Sequence, residues 1–328
     1  MMQEKKLAIF YILDILREYS DENHPLTQKE IGEKLNNIYQ IDLERKSIAS
    51  NLNLLADGLD YDVNKCPKGY YLGQRELDET EVKFLIDALF SSKIIPGKEA
   101  QALSKKLSSN LSRYKRKEYN YIYKSEDVFR TKNKELFHSI DIINEAINNQ
   151  KMISFKYLDY DDLGNEMERY GGYRYKVSPY FMVNNNGKYY LIGKYPKYDD
   201  HINFKMDYII DVQIEDEKAT PIKEVKSLGE NFNITKYIND HIYMFGGNVI
   251  NAKLEIISKA APMNVIDWFG KEARFIKEND KSYVYIKSEE RALFYWILQY
   301  QEDIVIVEPK ELRDKVIARL KETLKCYE

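Results

Sequence analysis

Cysteine occurs only twice in the 328 residues, as Cys66 and Cys326. Two cysteines so far apart build no disulfide framework, which fits a reducing cytoplasm. Histidine is nearly as scarce. His24, His138, His201 and His241 stand alone, no two of them at i, i+4, so no zinc site is legible. Long apolar runs are missing. The opening stretch MMQEKKLAIFYILDILREY carries charges through its apolar residues and reads as neither signal peptide nor membrane span. No glycine-rich loop ends in Lys-Ser/Thr, and no Gly-x-Ser-x-Gly elbow is present. Nothing therefore points to a catalytic residue, a cofactor or an enzyme. An excess of positive charge is missing too. The net charge is −3, so any nucleic-acid footprint must be local. Tyrosine, at 28 residues, is abundant, and it supplies stiff contact area with a polar tip.

The length allows two or three domains. Leu7, Phe10, Leu13 and Leu16 recur at helical spacing and predict a helix over 3–19. Thr27-Gln28-Lys29-Glu30 is a capping box for a second helix that buries Ile31 and Leu35. Asp42 is placed to cap a third, burying Ile48, Leu52 and Leu55. The other face of that third helix carries Arg45, Lys46, Ser47, Ala49, Ser50 and Asn53. Tyr61–Val63 and Tyr70–Leu72 flank Pro67-Lys68-Gly69 as a hairpin. Three short helices and a hairpin are the pattern of a winged helix-turn-helix over 1–72, which carries nine Lys/Arg against twelve Asp/Glu.

A helical connector spans 73–135. Asp78-Glu79-Thr80-Glu81 starts a helix expected to bury Val82, Leu85, Ile86 and Leu89 and to end at Pro96-Gly97. Leu103, Leu107 and Leu111 mark the next helix. Lys105–Lys134 holds ten Lys/Arg against three acids, with Tyr114, Tyr119, Tyr121 and Tyr123 interleaved. Such a run either tracks a nucleic-acid backbone or is a solvated connector.

Residues 136–222 begin with a helix on Leu136, Ile140, Ile143 and Ile147, followed by a strand over 152–157. Asp159–Glu168 lacks the ligand spacing of a calcium loop and reads as a turn. Tyr180–Val183 and Lys188–Ile192 flank Asn186-Gly187, the dipeptide that best tolerates two positive φ angles. Further strands over 202–206 and 209–215 make a small antiparallel barrel or curled sheet. Residues 223–247 read as a polar linker with short helices around Phe232–Ile242. Over 248–328 the order is β-α-β-β-α-β-α, a ferredoxin-like pattern, with Ser288 capping the helix over 289–300.

Several of these stretches carry a resemblance. Tyr189-Tyr190-Leu191, Ser178-Pro179 and Phe204-Lys205-Met206-Asp207-Tyr208-Ile209 resemble, in order and spacing, the WYL domain of bacterial transcription regulators. Arg45–Leu52 and Gly69–Leu72 resemble the recognition helix and wing of those regulators. Trp268-Phe269-Gly270, Trp296-Ile297-Leu298 and Val307–Arg313 resemble their C-terminal extension, WCX. The resemblance implies an α+β multidomain protein: winged helix-turn-helix, helical connector, Sm/SH3-like β-barrel and ferredoxin-like domain.

It also implies a homodimer that binds double-stranded operator DNA, with Arg45, Lys46, Ser47, Ser50, Asn53, Lys65 and Lys68 as the DNA-binding residues. Arg174, Lys176, Tyr189, Lys205 and Tyr208 would bind a single-stranded nucleic acid or nucleotide-like effector. Both arginines of the family's Phe-Arg-Leu-Asp-Arg-Ile motif are replaced, by Lys205 and Tyr208. Lysine keeps the charge but loses the bidentate fork. An alternative reading is a single-stranded RNA-binding accessory protein that uses the sheet and the basic connector.

Overall fold

The computed structural model describes residues 2–118, 133–229 and 232–328. Tyr119, Tyr121 and Tyr123 of the basic run lie outside them. The chain divides into two compact units, 1–132 and 133–328.

In the first unit, helices α1 (Met2–Tyr19), α2 (Gln28–Tyr39) and α3 (Arg45–Asn53) pack around Ile12, Leu16, Ile31, Leu35, Ile48, Leu52 and Leu55. The capping box forms as its residues demand. The Glu30 amide donates to Thr27 Oγ1 at 3.2 Å, and the Thr27 amide donates to Glu30 Oε2 at 2.7 Å. Asp42 does not cap α3. Glu44 occupies that place without a side-chain bond, because the helix starts at Arg45 and only the immediately preceding residue reaches its free amides.

Strands β1 (Val63–Cys66) and β2 (Gly69–Leu72) form the hairpin, tied to Leu26 by two backbone hydrogen bonds from and to Tyr70, each 2.8 Å. Gly69, at φ +143°, is obligatory. A Cβ there would lie 2.4 Å from the Leu26 carbonyl oxygen.

Helix α4 (Glu79–Ser91) is capped by Asp78 and Glu81 and buries Val82, Ile86 and Leu89. Leu85, expected inside, is exposed. Pro96 does not end this helix but caps α5 (Gly97–Ser108), the end of a helix where a fixed φ and a missing N–H cost least. The short α6 (Arg113–Glu118) follows.

The second unit starts with α7 (Leu136–Asn148), then β3 (Lys151–Tyr160), β4 (Glu166–Glu168), β5 (Arg174–Asn185), β6 (Lys188–Lys194), β7 (His201–Lys205) and β8 (Ile209–Lys218). All pairings are antiparallel, in the order β4-β3-β5-β6-β7, with β8 also on β3. Asn186 and Gly187 take φ of 50° and 71°, closing the β5–β6 hairpin as expected. Phe155, Val177, Leu191 and Phe204 are buried.

The stretch read as a polar linker is packed. Val225, Leu228, Tyr237 and Met244 join Val183, Tyr190 and Ile192 of the hairpin in one buried cluster, with α8 (Ile234–Asp240) between them. Its apolar residues sit at irregular spacing, so no helical or strand period betrays them. Leu228 is fully buried. Leu228→Ala should destabilise this unit by about 2–5 kcal/mol in denaturant unfolding, whereas a linker side chain would cost almost nothing.

The chain ends with β9 (Val249–Ile256), α9 (Ala261–Phe269), β10 (Arg274–Glu278), β11 (Lys281–Glu289), α10 (Glu290–Gln299), β12 (Ile304–Glu308) and α11 (Lys310–Lys325). The sheet order is β10-β11-β9-β12, all antiparallel, with Trp296 fully buried in the core. Glu289, not Ser288, caps α10. Its carboxylate accepts from the Arg291 and Ala292 amides at 3.0 and 2.7 Å, while Ser288 is still paired in β11.

Candidate functional site

Two groups of residues have the chemistry expected of a binding site, one in each unit. In the first, burying Ile48 and Leu52 turns Arg45, Lys46, Ser50 and Asn53 outward, with Ser47 half-buried at the edge. The Arg45 Nε donates to Gln28 Oε1 at 2.8 Å, and Gln28 Nε2 donates to the Tyr70 hydroxyl at 3.3 Å. The Lys65 ammonium lies 5.8 Å from the centre of the Tyr70 ring. One chain of contacts thus joins the starts of α3 and α2 to the hairpin. Lys46, Lys65 and Lys68 are exposed and have no carboxylate partner among the described residues. Gln28, which positions Arg45, escaped the sequence reading because it sits inside a capping box. Asn51 Nδ2 turns back to the Ser47 carbonyl at 2.8 Å.

Three cations of the basic run are engaged within this unit. Lys115 pairs with Glu22 and Glu79 at 3.1 and 3.0 Å, and Arg116 pairs with Glu18. Arg113 lies over Tyr19, and Tyr114 stacks on His24 with ring centres 3.8 Å apart.

In the second unit the expected convergence of Arg174, Lys176 and Lys205 beside Tyr189 is not found. Tyr175 stands between Arg174 and Lys176 on β5, and strand side chains alternate. Tyr175 joins the aromatic side, 5.8 Å from Phe155 and 6.0 Å from Phe204, so its two neighbours face the opposite way. There Arg174 donates to the Asp211 carboxylate at 2.5 Å and to its carbonyl at 2.7 Å. Lys176 is held by Glu217 at 2.9 Å and Glu215 at 3.3 Å. Tyr189 is half-buried, and no ring contact joins it to Lys205 or Tyr208 among the described residues. Tyr190 is the residue paired with Lys205 across β6 and β7.

Lys205 and Tyr208 do come together. The Lys205 ammonium lies 4.7 Å from the centre of the Tyr208 ring. Tyr208 packs edge-on against Tyr157 and Tyr160 at 5.7 and 6.2 Å. The Tyr157 hydroxyl accepts from the Lys205 amide at 3.0 Å, and burial pushes that phenol far above its ordinary value. The Arg169 guanidinium lies 5.9 Å from the Tyr157 ring and 5.4 Å from the exposed Tyr170 ring. Burial also raises the Asp207 carboxyl above its usual range, opposed by Lys205 and Lys188, and its Oδ1 is buried without a hydrogen-bond partner. The result is a cluster of three tyrosine rings with Lys205 over Tyr208 and Arg169 near Tyr157, Arg169 being also paired with Asp159 at 3.2 Å. Arg169, Tyr157 and Tyr160 were not picked out from the sequence.

A third cluster holds Asp200, His201 and Ser227, the residue types of a hydrolase triad. Their order rules out that reading here. Asp200 Oδ1 and Ser227 Oγ both lie on the same ring nitrogen, His201 Nδ1, at 3.0 and 2.7 Å, while Nε2 meets the Tyr237 hydroxyl at 2.5 Å. No nitrogen is left to draw a proton from Ser227 toward a second partner. No metal-ligating cluster occurs among the described residues.

Burial lowers the pKa of His201 and also of His241, which stacks on Tyr237 at 3.9 Å. Below the ordinary histidine pKa of about 6.5 the unfolded chain therefore binds more protons than the folded one. This contribution to stability is full above that pH and is lost as pH falls below it. The buried Asp207 and Glu289 carboxyls, both raised, act in the opposite sense. The readout is thus a difference. Thermal unfolding of His201→Gln should depend less on pH between about 5 and 7 than that of the unaltered chain. Parallel curves would assign the effect elsewhere.

Comparison with known proteins matches two stretches of the second unit. Residues 138–214 match the WYL domain and residues 252–324 the WCX domain. The chain thus carries a WYL domain followed by a WCX domain. No curated protein matches it. Among solved structures it is similar to proteasome accessory factor B/C (PafBC) of Arthrobacter aurescens, at 14% identity and a TM-score of 0.30. That match covers 98% of this chain and 49% of PafBC, so the chain spans about half the length of that protein. It is also similar to a CRISPR Cas-related protein, at 14% identity and a TM-score of 0.39, covering 94% of this chain and 97% of the other. No helix of the described residues is long and apolar enough to cross a membrane.

Proposed function

We propose that this protein is a cytoplasmic, homodimeric transcription regulator that binds operator DNA and responds to a single-stranded nucleic acid or nucleotide. In this reading the first unit holds a winged helix-turn-helix, the β3–β8 sheet is an Sm/SH3-like barrel, and the last domain is ferredoxin-like. The protein acts by binding, without catalysis.

The observation that carries the DNA reading is the exposed face of α3. A helix with short polar residues and long cations at its start fits the major groove, where the cations reach phosphates and guanine edges. Lys65 and Lys68 on the hairpin add backbone contacts. The cluster of Tyr157, Tyr160 and Tyr208 beside Lys205 supports the effector reading, since bases stack on aromatic faces and phosphates pair with cations. The alternative, an RNA-binding accessory protein, leans on the basic connector, where Lys115 and Arg116 are already paired with Glu22, Glu79 and Glu18.

Selection from random duplex and single-stranded pools tests the proposal. Recovery of an inverted repeat with half-sites about one helical turn apart, or multiples of it, is expected of a two-fold dimer. Recovery of single strands alone overturns the operator reading.

A further inference from the structure

Helix α10 turns Ala292, Leu293, Trp296 and Ile297 toward the sheet, which leaves Phe294 and Tyr295 facing α11. Between the two helices is an open cavity of about 490 Å³. Small organic ligands occupy cavities of roughly 300–1,000 Å³. Phe294, Tyr295, Leu312 and Ala318 supply its apolar and aromatic wall, and Arg291 and Arg319 supply cations.

The other charges around it are engaged. Lys315 pairs with Glu290. The Glu289 carboxylate is occupied by the first amides of α10, so the helix end is already capped. Arg319 reaches Glu322 only at 4.0 Å. Arg291 has no carboxylate within ion-pair distance among the described residues. Its guanidinium is instead flanked by two rings, 4.8 Å from the centre of Phe245 and 5.8 Å from that of Tyr295. A planar cation steadied by aromatic rings, with unused N–H donors, is suited to bidentate pairing with a carboxylate or phosphate. The aromatic wall beside it favours a flat apolar body.

We propose that the α10–α11 groove is a ligand site for a small molecule with a planar apolar body and one carboxylate or phosphate group. Arg291 pairs with the anion, and Tyr295, Phe294 and Leu312 cover the body. The site shares no residue with those assigned to nucleic-acid binding.

Titration calorimetry on the full chain tests this with 1-naphthoate, 1-naphthyl phosphate, neutral 1-naphthol and inorganic phosphate. At least one anionic naphthyl probe is expected to bind about tenfold or more tightly than 1-naphthol, about 1.4 kcal/mol. Whichever anion binds more tightly identifies the head group. Inorganic phosphate alone should bind far more weakly than the naphthyl phosphate. Arg291→Gln should abolish the advantage of the anions over 1-naphthol. Ala318→Trp, at an exposed position that opens on the groove, should abolish binding of all the naphthyl probes. Circular dichroism verifies that both variants are folded. Equal affinity for 1-naphthol and the anions overturns the proposal. So do anion binding unchanged in Arg291→Gln, phosphate binding as strong as that of naphthyl phosphate, and no saturation by either anion up to about 1 mM.

Discussion

Replacing Arg45 and Lys46 together with alanine is expected to remove most of the affinity for a selected duplex and to reduce its salt dependence. Each lost phosphate contact lowers the slope of log K against log salt by about 0.9, so two contacts predict a drop of nearly two. If one of the two cations reads a guanine instead, the slope falls by about one, and discrimination at that base falls by about 1–3 kcal/mol. Both residues are exposed and neither belongs to the core, so the fold should persist. Gln28→Ala supplies an intermediate case. It removes the 2.8 Å acceptor that holds Arg45 while leaving the charge in place, so affinity should fall with the salt slope nearly unchanged. An unchanged slope in the double variant would count against α3 as the DNA-contacting helix.

Lys205→Glu is expected to weaken binding of short single-stranded oligonucleotides or nucleotides by at least about tenfold, or about 1.4 kcal/mol. The reversal puts a second carboxylate beside Asp207, whose own charge is already disfavoured by burial. It also removes the cation lying over Tyr208. Base stacking on an aromatic ring contributes about 1–3 kcal/mol, so Tyr208→Ala should cost a comparable amount. Lys176→Glu is the informative control. Lys176 is already held by Glu215 and Glu217 on the other side of β5, so its reversal should leave binding nearly unchanged. Lys205→Met, which keeps the apolar stem, separates loss of charge from loss of packing. Fluorescence anisotropy with labelled oligonucleotides measures all four. Equal curves for Lys205→Glu and the unaltered chain would remove Lys205 from the site.

The contrast between Lys176 and Lys205 shows where sequence reasoning stopped. What the sequence determined by itself was local. Capping boxes at Thr27 and Asp78 work within four residues and set the starts of α2 and α4. Asn186-Gly187 closes its hairpin for the same reason, since the φ values it needs belong to those two residues alone. The outward face of α3 follows from helical period once Ile48 and Leu52 are inside. The order of elements from Val249 to Lys325 was also readable, because each strand and helix there carries its own period and turn residues.

What only the tertiary structure decided was which side chains meet. Arg174 and Lys176 look like site residues until strand alternation and the register of β3, β5 and β8 place Asp211, Glu215 and Glu217 against them. Residues 223–247 look like a linker because burial of Val225, Leu228, Tyr237 and Met244 depends on the hairpin they cover, not on any spacing of their own. Arg169 reaches Tyr157 from a loop whose path no local rule describes. Hydrogen bonding and steric preference between near neighbours are written along the chain. Charge pairing and aromatic packing act through space, between residues as far apart as Lys176 and Glu217, so they exist only once the strands have been brought side by side.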